Sequence, residues 1–185
     1  MEPIKDIAYL HDSKYGNGAE VAEEFRRIMA DRGVTVSVRH MRDADPKKLP
    51  PADLYVFSSP GRFGKPKRSA RSFLGKVTLP AGTSYALLTT EAAPQPDKKT
   101  GRMPTAEEMA RWQKVRPIVN ELLQGKGLTE VAEEAVYVTK LKGPLEEGWE
   151  KKVASFADQV LFVGTTGGGG RSAASRGEGM TPSDA

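Results

Sequence analysis

The chain has 185 residues, a formal net charge of +4 at neutral pH and a sequence isoelectric point near 9.2. It has no cysteine, which excludes disulfides, iron–sulfur ligation and a cysteine nucleophile. No apolar run approaches the roughly 20 residues that span a bilayer, and residues 1–6 lack the basic and apolar parts of a secretory signal. A single soluble, cytoplasmic domain is the expectation.

Ile7-Ala8-Tyr9-Leu10 is a short apolar run and predicts a buried strand over 6–10. Ser13-Lys14-Tyr15-Gly16-Asn17-Gly18 follows it. Val21, Phe25, Ile28 and Met29 then recur at helical spacing, which predicts a helix over 17–32 that stops at Gly33. A small, hydroxyl-bearing, glycine-containing turn between a strand and a helix is a natural phosphate cradle. Its backbone N–H groups converge, and the helix N-terminus adds a partial positive charge.

Val34-Thr35-Val36-Ser37-Val38 alternates and is β-branched, a second strand. Pro46, Pro50 and Pro51 mark a loop. Leu54-Tyr55-Val56-Phe57-Ser58 is a third strand of the composition that suits burial on both faces. The loop Ser59-Pro60-Gly61-Arg62-Phe63-Gly64 leads into a short helix over 66–74. This stretch carries Arg62, Lys65, Lys67, Arg68, Arg71 and Lys76 and no carboxylate between 60 and 76. Such a patch is either a solvated helix face or a docking surface for an acidic partner or an anionic substrate. Nucleic acid is the weakest reading, because no nucleic-acid motif accompanies the patch.

A fourth strand is predicted over 85–90, followed by a polar, proline-rich loop over 92–104. Thr105 and Glu108 form a capping-box pattern that opens a helix. Pro117 falls inside that helix and should kink or divide it. A fifth strand spans 135–141. The last helix opens near Pro144, with Trp149, Val153, Phe156 and Val160 on one stripe. Residues 164–185 contain four consecutive glycines and almost no large apolar side chain, which predicts a disordered tail behind a domain of residues 1–163.

Alternating strands and helices predict an α/β domain, a five-stranded parallel sheet of order 2-1-3-4-5 with helices on both faces. In that order the ligand crevice lies at the carboxyl ends of strands one and three. Both glycine-bearing loops flank it.

The first loop resembles that of flavodoxins and the wider flavodoxin-like family, in which Ser/Thr-x-x-Gly-Asn-Thr with a later alanine wraps the phosphate of FMN. Ser13, Gly16, Asn17 and Ala22 match, while Gly18 stands where threonine is usual. The resemblance implies a three-layer flavodoxin-like fold with FMN as cofactor. It assigns the phosphate to Ser13, Lys14, Tyr15, Gly16, Asn17 and Gly18. It assigns the ring to Ser59, Pro60, Gly61, Arg62, Phe63 and Gly64, with Phe63 stacking, and its other side to Thr90, Glu91 and Ala92. Arg62-Phe63-Gly64 with Ser72-Phe73-Leu74 is also similar to the matching region of menaquinone-dependent protoporphyrinogen oxidases.

Three functions follow. The first is electron transfer or oxidoreduction with an unidentified redox partner. The second is reduction of a quinone-like or other small acceptor. The third is a flavin-free binding module that uses the basic patch. No nucleophile elbow or zinc-helix motif is present, so no catalytic side chain is assigned. His11 and His40 sit at the ends of neighbouring strands, near Asp12, Asp43 and Asp45. Two histidines do not make a metal site. Glu91 reads as a surface carboxylate within reach of Lys98 or Arg102.

Overall fold

The computed structural model describes residues 2–166. Its central sheet contains β1 (Asp6–His11), β2 (Thr35–His40), β3 (Leu54–Ser58), β6 (Ser84–Ala92) and β7 (Thr129–Val138). The strands are parallel throughout and lie in the order β2-β1-β3-β6-β7, which is 2-1-3-4-5 counted within the sheet. The helices are α1 (Asn17–Asp31), α2 (Arg68–Lys76), α3 (Ala106–Trp112), α4 (Val115–Gln124) and α5 (Trp149–Thr166). The tail over 164–185 falls outside the described residues beyond Thr166. No described helix is long and apolar enough to cross a membrane.

The strand period of two divides the core into two apolar layers. Ile7, Tyr9, Leu54, Val56, Ala86 and Leu88 face α1 and α5, where Phe25 and Phe156 fill the layer. Ala8, Leu10, Tyr55, Phe57 and Leu87 face α2 and α4, against Phe73, Leu74, Val119 and Leu123. Because both faces of the middle strands are covered, their sequences read as continuous apolar runs.

The fifth strand spans Thr129–Val138 rather than 135–141, and the structure departs from the sequence expectation in three further places that bear on the cleft. First, 59–67 is not a plain loop. It forms a two-stranded ribbon, β4 (Gly61–Arg62) against antiparallel β5 (Lys65–Pro66). The turn residues Phe63 and Gly64 both have positive φ, 50° and 72°, the geometry of a tight primed turn that follows strand twist. Second, β6 continues through Ala92, so Thr90, Glu91 and Ala92 belong to a strand rather than a loop. Third, the helix predicted after Thr105 does divide, but at Gln113 and Lys114 rather than at Pro117. Pro117 lies in the first turn of α4, where a missing N–H costs little. The break is held from outside. Gln113 donates through Nε2 to the Ala92 carbonyl at 3.0 Å, and the Lys114 N–H donates to the Gly64 carbonyl.

The ribbon thus rests on the α3–α4 junction. A β-carbon at Gly64 would overlap the Trp112 carbonyl. Gly64→Ala is therefore expected to destabilise the protein by about 2 kcal/mol in urea unfolding. Gly75→Ala, in α2 with no atom within 4 Å of the added carbon, should be neutral or mildly stabilising.

Candidate functional site

The carboxyl ends of β1, β3, β6 and β7 open onto one cleft of about 420 Å³, within the range of small-molecule sites. Ser13, Lys14, Tyr15, Asn17 and Gly18 form one end. Pro60, Gly61, Arg62 and Phe63 form one wall. Thr90, Glu91 and Ala92 form the floor. Gly16, Ser59 and Gly64 do not line it. Gly16 turns the chain into α1 with φ of 95°. The Ser59 hydroxyl accepts the Lys67 N–H at 3.3 Å and closes the base of the ribbon. Gly64 faces Trp112. The remaining wall comes from Ala93, Gln95, Val138, Thr139, Lys140 and Leu141. Sequence reasoning misses 138–141 because a fifth strand carried to 141 leaves no loop there, whereas β7 ends at Val138.

The first loop is held by side chains that sequence inspection left without a role. The Ser13 N–H donates to His11 Nδ1 at 3.2 Å. His40 Nδ1 accepts the Arg42 N–H at 3.1 Å, which places the neutral ring's proton on Nε2. That Nε2 meets the Ser13 carbonyl at 2.9 Å and donates to it. The Ser13 hydroxyl accepts the Gly16 N–H at 3.1 Å. The two imidazoles meet edge to face, with ring centroids 5.0 Å apart. Among the described residues no group of three or more His, Asp or Glu is placed to hold a metal.

Among the described residues no side chain caps α1. Its first-turn N–H groups therefore lack the usual partner at the end of the helix that Asn17 and Gly18 present to the cleft. Gly18 has a packing reason. A β-carbon there would lie 3.2 Å from Ser13 Cβ, so threonine would need the Ser13 side chain to move.

The two carboxylates nearest the loops are already engaged. Asp12 is buried, accepts from the Ser69 hydroxyl and pairs with Lys67 Nζ at 3.1 Å, with His40 Nε2 at 3.8 Å. Glu91 is also buried, which corrects the surface expectation. It pairs with Arg116 at 2.9 Å and accepts from Thr89 Oγ1 at 2.8 Å. The strand runs one turn of pleat further than predicted, so Glu91 points into packed protein. Arg102 instead pairs with Glu108 at 2.8 Å.

At the mouth, Phe63 is 100% exposed and Leu141 77% exposed. Tyr15 carries Lys14 and Lys142 over its ring, 5.3 and 5.7 Å from the centroid. Desolvation opposes ionisation of the Tyr15 phenol, but Lys14 and Arg62 outweigh it and bring its pKa below the ordinary 10.0. The site thus pairs backbone donors and cations at the first-loop end with an uncovered aromatic, Phe63, on its wall. It suits a flat ligand with an anionic end.

No protein-family model matches the chain, and no curated protein matches it in sequence. Solved structures do match. Flavodoxin 2 of Bacillus cereus has a TM-score of 0.61 at 18% identity, over 83% of this chain and 96% of that one. A flavodoxin of Streptococcus pneumoniae has a TM-score of 0.59 at 15% identity, over 85% and 99%. The rubredoxin oxygen:oxidoreductase of Desulfovibrio gigas has a TM-score of 0.64 at 14% identity. The match covers 89% of this chain but only 37% of that larger one. The fold is flavodoxin-like.

Burial, then the neighbouring His40, push the His11 pKa below its ordinary 6.5, against the pull of Asp12; Arg42 lowers it and Glu23 raises it further. The unfolded chain therefore binds a proton at His11 more readily than the folded one. This contribution to stability is present above pH 6.5 and is lost as pH falls through the folded pKa. His11→Asn, which keeps an acceptor for the Ser13 N–H, should flatten the decline of the urea midpoint between about pH 7 and pH 5.

Proposed function

We propose that the cleft binds FMN and that the protein transfers electrons between this flavin and a redox partner. One observation carries the reading. Four loops at the carboxyl ends of adjacent strands converge on a single cleft, with an uncapped helix N-terminus at one end and an unshielded phenyl ring on its wall. The flavodoxin-like fold and the loop residues Ser13, Gly16 and Asn17 support the same assignment.

The residues present fit this group. The first-turn N–H groups of α1 and the Ser13 hydroxyl would hold the phosphate, and no uncompensated carboxylate lines the cleft to repel it, because Glu91 is paired with Arg116. Phe63 would stack on the ring, where an exposed aromatic loses little by being covered. Thr90 and Ala92 would form the floor beneath the ring; the Thr90 N–H and the Ala92 carbonyl are already hydrogen-bonded to Ser59 and Gln113. Bound FMN would supply the redox chemistry, and the side chains would bind, orient and shield it.

A second reading, reduction of a small acceptor directly at the ring, is favoured by the open mouth between Phe63 and Leu141. Steady-state oxidation of a nicotinamide dinucleotide with a quinone, in the absence of a partner protein, would select it over the carrier.

FMN fluorescence should be quenched by the protein with saturable, one-to-one stoichiometry. Phe63→Ala should weaken binding by roughly 2- to 10-fold, the value of one stacking contact. A protein that stays colourless and leaves FMN fluorescence unchanged at excess flavin would end this proposal and leave the flavin-free binding module.

A further inference from the structure

A second cavity, about 750 Å³ and shallower, lies on the outer side of the ribbon. It is lined by Lys14 from the first loop, Arg62 from the ribbon, and Lys67, Arg68, Ser69 and Ser72 from the start of α2. Every lining residue is a cation or a hydroxyl. Among the described residues, Lys14, Arg62 and Arg68 form no ion pair with a carboxylate. Only Lys67 is compensated, by Asp12 beneath it.

Holding Lys14, Arg62 and Arg68 beside Lys67, with only Lys67 paired, is unfavourable unless something negative offsets the other three. A solvated face would spread such charges outward. Here three separate segments place theirs around the rim of one shallow depression. Arg68 and Ser72 lie four residues apart and so share one face of α2. The Ser69 hydroxyl and the Lys67 ammonium are held by Asp12; the guanidinium groups of Arg62 and Arg68, the Lys14 ammonium and the Ser72 hydroxyl remain, a donor set that matches phosphate oxygens.

We propose that this second cavity binds the phosphate or diphosphate group of a small molecule. The site is distinct from the one assigned to the flavin phosphate. None of Ser13, Gly16, Asn17 and Gly18 lines it, whereas Ser13, Asn17 and Gly18 line the first cleft. Lys14 and Arg62 line both cavities. A ligand anchored by its phosphate in the second therefore reaches the mouth of the first with its remaining part. That extension rests on the FMN reading, and the anion site does not. A cluster confined to six residues of three adjacent segments matches the size of one phosphate or diphosphate group.

The test is calorimetric titration of inorganic pyrophosphate, inorganic phosphate and adenosine 2′,5′-bisphosphate into the FMN-saturated chain at low ionic strength. One pyrophosphate should bind per chain without releasing FMN, and affinity should fall as salt is raised. Arg68→Gln combined with Ser72→Ala should weaken it at least tenfold. Arg71→Gln removes the same charge from a neighbouring residue outside the lining and should stay within twofold of the unmodified chain. Neither variant touches the first cleft, so FMN affinity should be unchanged in both. The bisphosphate should bind at least tenfold more tightly than inorganic phosphate, and equal affinities would overturn the extension toward the first cleft.

Absence of saturable pyrophosphate binding, or equal losses in the two variants, would overturn the anion site. One-for-one release of FMN by pyrophosphate would give the cavity to the flavin's own phosphate and overturn it as well. So would tight binding of polyglutamate without binding of pyrophosphate, which would identify a surface for acidic macromolecules. If the chain takes up no FMN, the same titration on the flavin-free protein separates the two ideas. Binding with the Arg68/Ser72 loss retained would keep the anion site while the proposed function falls.

Discussion

The buried Asp12 carboxylate organises the functional end of the molecule. It sits one residue beyond β1, and its own N–H donates to the Ser58 carbonyl at 3.2 Å, which carries the β1–β3 pairing one residue further. Its side chain takes the Ser69 hydroxyl in the first turn of α2 and the ammonium of Lys67 just before that helix. A carboxylate held this far from water is tolerable only while its partners stay in place. The one group therefore ties the first loop to the start of α2. The ribbon spanning the two is closed at its base by Ser59 and Lys67. The position of Phe63 at the ribbon's tip follows from that closure and from the Gly64 contact with Trp112.

The fold was legible because its signals were local and mutually consistent. Continuous apolar strands, β-branched Val34 to Val38 and amphipathic helices pointed to the same layered sheet, and the order of loops located the crevice. The misread parts share a different cause. The edge strand β7 carries Glu130 and Glu133, which Asn120 and Arg116 satisfy across the surface, and Glu134, which accepts the Ala135 N–H. A half-exposed edge strand with acidic residues looks like a loop when its partners lie ten or more positions away. The helix break at Gln113 likewise depends on Ala92 and Gly64, contacts without a local signature. Pro117, the visible breaker, was harmless in a first turn.

The roles of the histidines were hidden for a related reason. His11 and His40 stand at neighbouring strand ends, where sequence reading gives their placement no role. Their ring nitrogens are instead spent on backbone groups on either side of Ser13. Neighbouring parallel strands in register, with His11 opposite His40, bring the rings together and leave Ser13 between them. Once the register of β1 and β2 is known, the contact is expected; from spacing alone it could not be told from chance. Gly18 is similar. Its lack of a side chain looked like a lost phosphate ligand, and the space it leaves is taken by Ser13.

Phe63 is where the structure most plainly puts packing second. A bulky residue with positive φ is strained, and a phenyl ring in open water gains nothing for folding. Asparagine or glycine would serve the turn better. The cations beside it, Arg62, Lys65, Arg68 and Arg71, are equally unneeded by the core. The nearby carboxylates are taken, Asp12 by Lys67 and Glu91 by Arg116, so the surplus positive charge faces outward or into the second cavity. Strain, an exposed aromatic and uncompensated charge occur together on one short ribbon and the helix after it. Each carries a cost in the free protein; a ligand that is aromatic and anionic would cover the ring and offset the charge, while the positive φ of Phe63 is the cost of holding the ring at the ribbon's tip. The physical case for function at this end of the sheet therefore rests on the ribbon as much as on the phosphate-type loop.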